Sequence, residues 1–414
     1  MTVQRLLLLL TMGASLAACQ PGKIPIGNPE SPYPPAHEPQ VGDILHLPTG
    51  IYVDQATLID QASRAQIVYV GETHDNPASH QLQATILRAL EKRNPGQVSL
   101  AMEMFTPSQQ PVLDLWTAGK LSEKEFLKQV DWFGNWRMNY ALYKPLLDLA
   151  KEKHIPVVAL NADKKLVAEV SHSPLEALSE EERNRLPEMQ ADPYQVAATR
   201  AFYGGHVQGK AALAGFERVQ TLWDESMAEH LANYLKSDAG RGRQVMVAAG
   251  GNHIQFGYGI PRRVFRRIPA SYLLVGSREI EIPADQQQRL MDVDMPRFPM
   301  PSYDFVQFTR YEKLAEPGVK LGIMIKKADG GIQVLDVIPD SLAEKSGLLK
   351  DDLLTEIDGV PLTDIFDLIY ELQHKSVGDT LSLKLVRDGQ EMNMSIKVTE
   401  KAPKHGMSMQ HGKK

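Results

Sequence analysis

Cysteine is all but missing from this 414-residue chain: Cys19 stands alone, so no intramolecular disulfide can brace the fold and no thiolate cluster can hold a metal. Long hydrophobic runs are missing too, and the apolar stretch at residues 6–10 is too brief to span a bilayer. An excess of positive charge is also lacking. Lys and Arg number 45 against 51 Asp and Glu, a formal net charge of -6, and that mild acidity argues against nucleic acid as a partner. Two catalytic signatures are absent as well: no His-Glu-x-x-His supplies a local metal site, and no Gly-x-Ser-x-Gly elbow supplies a serine nucleophile.

What is present is a repeated pattern. Four apolar runs, at residues 66–70, 97–102, 155–160 and 244–249, each end abruptly in polar residues. Those residues are Gly71-Glu72-Thr73-His74, Glu103, Asn161-Ala162-Asp163 and Gly250-Gly251-Asn252-His253. Each run is short, rich in Val, Ile, Leu, Met and Ala, and hydrophobic on both faces, as a strand buried in a parallel sheet is. Helical patterns lie between the runs, which predicts an α/β fold: a mostly parallel sheet flanked by helices. In such sheets ligands sit beyond the carboxyl ends of the strands, so Glu72, His74, Glu103, Asn161 and His253 are expected to converge. Gly, Asn and Asp are ordinary turn residues; turn chemistry does not select Glu or His, and these carry the expectation of a functional cleft.

The strand ends also carry a resemblance. Gly71-Glu72-Thr73-His74-Asp75-Asn76, Met102-Glu103-Met104-Phe105, Ala159-Leu160-Asn161-Ala162, Trp223-Asp224-Glu225-Ser226-Met227-Ala228 and Gly251-Asn252-His253-Ile254 with Gly257-Tyr258-Gly259-Ile260-Pro261 resemble, in order and strand context, the ChaN-like family of iron-regulated, haem-binding lipoproteins. The resemblance covers about residues 42–310. The same region is similar to a wider superfamily that includes Tiki-type metal-dependent proteases and erythromycin esterases, where Glu and His at similar strand ends do hydrolytic chemistry. The ChaN-like resemblance implies haem held through a tyrosine at a homodimer interface, without assigning the tyrosine.

Two tyrosines of the thirteen are candidates. Tyr258 lies just beyond the Asn252-His253 strand end, and Tyr203 precedes His206 and Lys210, which could hydrogen-bond or neutralise haem propionates; His253 completes this candidate haem-binding set. The ordinary role of a tyrosine is half-buried packing with a bonded hydroxyl. Read as a hydrolase or protease, the same cleft would use Glu72 or Glu103 as general base with His74 and His253 as acid–base partners. Alternatively Glu72, His74 and His253 would hold a divalent metal ion that activates water. A third reading is a non-catalytic, membrane-anchored scaffold.

The N-terminus reads as an address. Arg5, the apolar stretch after it and Leu16-Ala17-Ala18-Cys19 resemble a lipoprotein signal peptide (1–18) with its lipobox, which implies lipidation of Cys19. Cleavage there removes Arg5 as the only charged side chain, taking the formal charge from -6 to -7. Gln20 after the cysteine resembles a sorting signal for the bacterial outer membrane, which implies a lipid-anchored, periplasm-facing protein. Residues 19–41 then carry seven prolines between Pro21 and Pro39 with no periodic apolar pattern, an extended tether.

From residue 318 to 398 the pattern changes to short strands with turns. Residues 320–325 and 332–338 read as a hairpin around Asp329-Gly330-Gly331, followed by a short helix opened by Pro339-Asp340-Ser341. This region resembles a small, β-rich PDZ domain of the bacterial periplasmic kind. The resemblance implies that Leu321-Gly322-Ile323 presents backbone N–H groups to a peptide's terminal carboxylate, while the peptide pairs beside residues 323–325. Packing on a neighbour or dimerisation is the other use of such an exposed edge. The tail, residues 399–414, holds His405, Met407, Met409 and His411 and reads as solvated and disordered, with metal binding as the other reading. Trp132, Trp136, Tyr140 and Tyr143 stand at helical spacing and read as core without chemistry.

Overall fold

The computed structural model describes residues 35–203, 210–289, 295–314 and 318–399. The expected signal peptide, Cys19, most of the tether, His206 and the His/Met tail lie outside these residues, as do the side chains of Tyr203 and Lys210.

Six parallel strands form the centre of the first sheet: β3 (Ile67–Glu72), β4 (Val98–Met102), β5 (Val157–Ala159), β6 (Gln244–Gly250), β7 (Tyr272–Glu281) and β8 (Phe305–Arg310). A short hairpin, β1 (Ile44–His46) and β2 (Ile51–Val53), adds two antiparallel strands at one edge, giving the order β2-β1-β8-β7-β3-β6-β4-β5. The four runs with polar ends are β3, β4, β5 and β6, and they lie side by side. Every residue of these four strands is buried, because helices cover both faces of the sheet. On one face Val68, Val70, Leu100, Met102, Met246 and Ala248 pack against the helices Pro77–Arg93 and Tyr140–Glu152. On the other, Tyr69, Val245 and Val247 meet Met227, Leu231 and Leu235 of the long helix Lys210–Lys236.

Several polar residues of the strand-end motifs have local structural work. Asn76 caps the helix Pro77–Arg93 by accepting from the Ala78 amide, with Pro77 at the first helical position where its missing N–H costs nothing. Asp163 caps the helix Lys164–His172 by accepting from Lys165 and Leu166. The Asn161 side chain closes the turn after β5, donating to the Glu103 carbonyl at 2.8 Å and accepting from Ala162. Among the described residues no helix is long and apolar enough to cross a membrane.

The second sheet is antiparallel: β9 (Ile323–Ala328), β10 (Gly331–Val337), β11 (Leu353–Ile357), β12 (Val360–Pro361), β13 (Thr380–Arg387) and β14 (Gln390–Lys397), ordered β14-β13-β11-β10-β9 with β12 on β11. Its core of Leu321, Ile332, Val334, Leu354, Leu383 and Ile396 is its own. The helix Ile365–Gln373 nevertheless serves both domains. Leu368 and Leu372 face the second core, while Phe366 is buried in the first, its ring stacked on Phe133 at 5.3 Å. Around this contact Lys124 reaches Glu371 at 2.7 Å, and Lys128 reaches Asp364 at 3.1 Å and Asp367 at 2.9 Å.

Candidate functional site

The carboxyl ends of β3, β4, β6 and β7 open into a cleft of ≈ 1890 Å³. Its floor brings together Glu72, His74, Glu103 and His253, four of the five residues that the strand-end pattern singled out, and the fifth, Asn161, also lines it. Glu72 ends β3 with its side chain turned inward: His74 Nδ1 lies 2.8 Å from Oε1, Tyr143 donates to the same oxygen at 2.9 Å, and Gln83 donates to Oε2 at 2.7 Å. Buried His80 stands 3.6 Å from Oε2 and also bonds the His74 carbonyl at 3.0 Å, fixing the loop that carries His74. Glu103, just past β4, accepts from the Gly250 amide at 2.7 Å and faces His253 Nε2 at 3.4 Å. Gly250 must be small here, since a Cβ would come within 3.0 Å of the His74 ring.

His253 is clamped from its other side by Asp224, whose carboxylate accepts from Nδ1 at 2.6 Å. Asp224 itself is fully buried in the helix Lys210–Lys236 and also accepts from Gln195. These contacts set the charges. Burial lowers the His253 pKa, but Glu103 and Asp224 outweigh it and push it up to about 10. Burial raises Glu103, yet His253, His74 and the Gly250 amide bring it down to about 2. Glu72 is likewise raised by burial and held below its ordinary value by His80 and His74, while His74 is lowered by burial and raised overall by Glu72 and Glu103. The floor is therefore a network of carboxylate–imidazole pairs that hold protons in fixed places.

That network lends no support to the expectation of a divalent metal held by Glu72, His74 and His253. Among the described residues no group of three or more His, Asp or Glu side chains is arranged to hold a metal ion. The carboxylates of Asp224 and Glu103 on either side of His253 favour its protonated ring, which has no lone pair to give, and Glu72 already receives His74, Tyr143 and Gln83.

The other candidates are placed differently. Tyr258 is buried away from the cleft lining, packed among Phe256 and Phe298, with burial raising its phenol pKa. The cleft's own tyrosine among the described residues is Tyr303, which the sequence pattern did not single out. Its ring lies across the sheet edge, close enough to Gly276 that a Cβ there would meet ring carbons at 2.5 Å. Trp136 and Tyr143, read as core without chemistry, reach the floor: Trp136 lines the cleft edge-on to His74 at 5.2 Å, and the Tyr143 hydroxyl holds Glu72. Phe216, Trp223, Phe256, Phe298 and Met300 make the walls apolar. Asp224 had no strand-end signal; its mark in the sequence is an acidic pair, Asp224-Glu225, inside an otherwise core-facing helical stretch. Glu225 spends its charge on Arg263, Arg266 and Arg267 instead.

In the second domain Leu321 is a core residue, and Gly322 has φ +81° with no room for a Cβ against Ser341. Its small size is required inside the domain itself. Ile323 opens β9, the outer strand of its sheet.

Residues 58–264 match the model of a family described as haem-binding uptake, Tiki superfamily, ChaN, and residues 319–398 match the PDZ domain. Curated relatives match shorter parts of the chain. Periplasmic serine endoprotease DegP of Escherichia coli (strain K12) is 32% identical over 73 residues, 18% of this chain and 15% of DegP. A serine protease HtrA-like of Staphylococcus aureus (strain NCTC 8325 / PS 47) is 30% identical over 134 residues, 30% of this chain and 16% of that protein. The chain thus spans under a fifth of these relatives' length. A solved structure of cofacial haem binding to ChaN of Campylobacter jejuni covers 64% of this chain and 95% of its own at 17% identity, with a TM-score of 0.49.

Proposed function

This chain belongs to the haem-binding uptake family of the Tiki superfamily, ChaN, with a PDZ domain behind the family domain, and we propose that it takes up haem in iron acquisition while its PDZ domain captures a peptide or protein C-terminus. The observation that carries the reading is the cleft. At ≈ 1890 Å³ it exceeds the roughly 300–1,000 Å³ of ordinary small-molecule pockets. Aromatic and Met walls suit a planar apolar ring system, and Tyr303, His172 and Met300 in the lining are side chains of the kinds that ligate haem iron. Bound haem would supply the iron that the family carries. The chain's part is to enclose the ring and neutralise its charged edge.

The test is a titration of haemin into the full chain, followed by absorbance and sedimentation. A saturable Soret shift is expected, with weaker binding in Tyr303→Phe or Tyr203→Phe; homodimer formation on loading is the expected assembly. No saturable shift would end the haem reading. Lipid attachment at Cys19, with an outer-membrane, periplasm-facing location, belongs to the same proposal, and Cys19→Ala should then move the protein from the membrane to the soluble fraction. The edge of β9 beside the helix Ile365–Gln373 is the peptide groove of this reading, and amidating a bound peptide's C-terminus should abolish its capture.

A second reading rests on a specific observation, the two carboxylate–imidazole pairs Glu72–His74 and Glu103–His253 on one cleft floor. They are placed to hold and pass protons in metal-independent hydrolysis. Under it, Glu103→Gln abolishes turnover in an ester and peptide screen while leaving haemin titration unchanged; no turnover by the unaltered chain would sink it.

A further inference from the structure

Among the described residues of the cleft, Arg278 carries a positive charge without a counter-charge, as do Lys164, which bonds the Gly134 and Asn135 carbonyls, and Arg297. Arg278 stands in the carboxyl-terminal half of β7, and its side chain lines the cleft and meets solvent there. Its strand neighbours are committed elsewhere: Glu279 receives Asn76 at 2.8 Å and Glu281 pairs with Arg310 at 2.7 Å. Several other arginines of the domain are paired with carboxylates. Arg263, Arg266 and Arg267 converge on Glu225, Arg200 meets Glu217, and Arg262 meets Asp192. Among the described residues Arg278 has neither ion pair nor side-chain hydrogen bond; the group that bears on it is the Tyr303 ring, set into the space that Gly276 clears. Arg278 is exposed to the cleft's solvent and so open to a ligand, and its planar fork matches a carboxylate in two parallel bonds.

We propose that Arg278 is the seat of a ligand carboxylate, so that the cleft takes an apolar body carrying at least one carboxylate edge. This rests on the haem reading above, in which that edge is a propionate. The carboxylates of the floor do not compete for it: Glu72 and Glu103 are turned inward to His74, His253 and the Gly250 amide. The apolar body then lies along Phe256, Phe298 and Met300, which line the same cleft.

Haemin and its dimethyl ester, which lacks the charged carboxylates, separate the charge from the ring. Both are titrated into the full chain and into Arg278→Ala and Arg278→Lys. Arg278→Ala should weaken haemin binding about 10- to 100-fold, the range of one charge-assisted bidentate contact, with Arg278→Lys in between. The ester should bind all three proteins alike. The thermal midpoint of Arg278→Ala should equal or exceed that of the unaltered chain, because an unpaired cation contributes nothing to the fold; a structural arginine would lower it. Haemin binding within threefold of wild type in Arg278→Ala overturns the proposal and leaves the haem reading standing. An equal loss for haemin and ester also overturns it, as does a lowered midpoint. If the unaltered chain binds no haemin, both readings fall.

Discussion

At His253 an imidazole meets two carboxylates, buried but for the face it turns to the cleft floor, with Asp224 at 2.6 Å and Glu103 at 3.4 Å. The pKa shifts give this triad a pH signature. His253 is raised from 6.5 to about 10, so its contribution to stability is fully present below about pH 6.5 and is lost as pH rises towards 10. Glu103 is lowered from 4.5 to about 2, so its contribution is present above about pH 4.5 and is lost as pH falls towards 2. Both act together between these limits. The difference in thermal midpoint between wild type and His253→Gln should therefore be largest near pH 5–6 and shrink towards pH 10; a difference that is flat across this range would refute the protonated imidazole. Asp224→Asn, which breaks a buried pair from one side, should destabilise by about 3–5 kcal/mol in denaturant unfolding at pH 6.

At the scale of elements, how each strand ends decides what could be read in advance. The pattern of apolar runs ending in polar residues located β3, β4, β5 and β6 and the floor of the cleft, because burial on both faces leaves a continuous apolar signature. The same signature was present at Leu273-Leu274-Val275 before Gly276-Ser277-Arg278, but β7 continues beyond its apolar stretch to Glu281 and hides its active end in mid-strand. Tyr303 had no such mark, since it follows an irregular proline-rich segment, and Tyr258 beside a strand end turned into the core. In the second domain, the glycine expected to make room for a peptide makes room first for Ser341. Gly322→Ala should cost roughly 1–3 kcal/mol by forcing a side chain onto φ +81° against Ser341. Hydrogen exchange should show faster opening of β9 and β10 without peptide present. Unchanged exchange would mean that the loop tolerates a side chain and that Gly322 serves the ligand alone.

At the scale of the whole molecule, the two domains share the helix Ile365–Gln373. Phe366 is 8% exposed and belongs to the first core, while Leu368 and Leu372 belong to the second. The surrounding Lys124 and Lys128 pairs are partly exposed and contribute at most about 1 kcal/mol each, so the apolar contact dominates. Phe366→Ala should cost about 3 kcal/mol and split a single calorimetric unfolding transition into two; one unsplit transition would show that the domains are coupled elsewhere.

The shared helix also bears on how the protein is made. A ribosome delivers the first domain's strands, from residue 44 to residue 310, well before Phe366. Until that late residue arrives, Phe133 has no ring to stack on, so the earlier domain waits for the later one to complete it. Trimming the chain at the boundary between the domains would then leave a permanent, sticky scar on the part that remains.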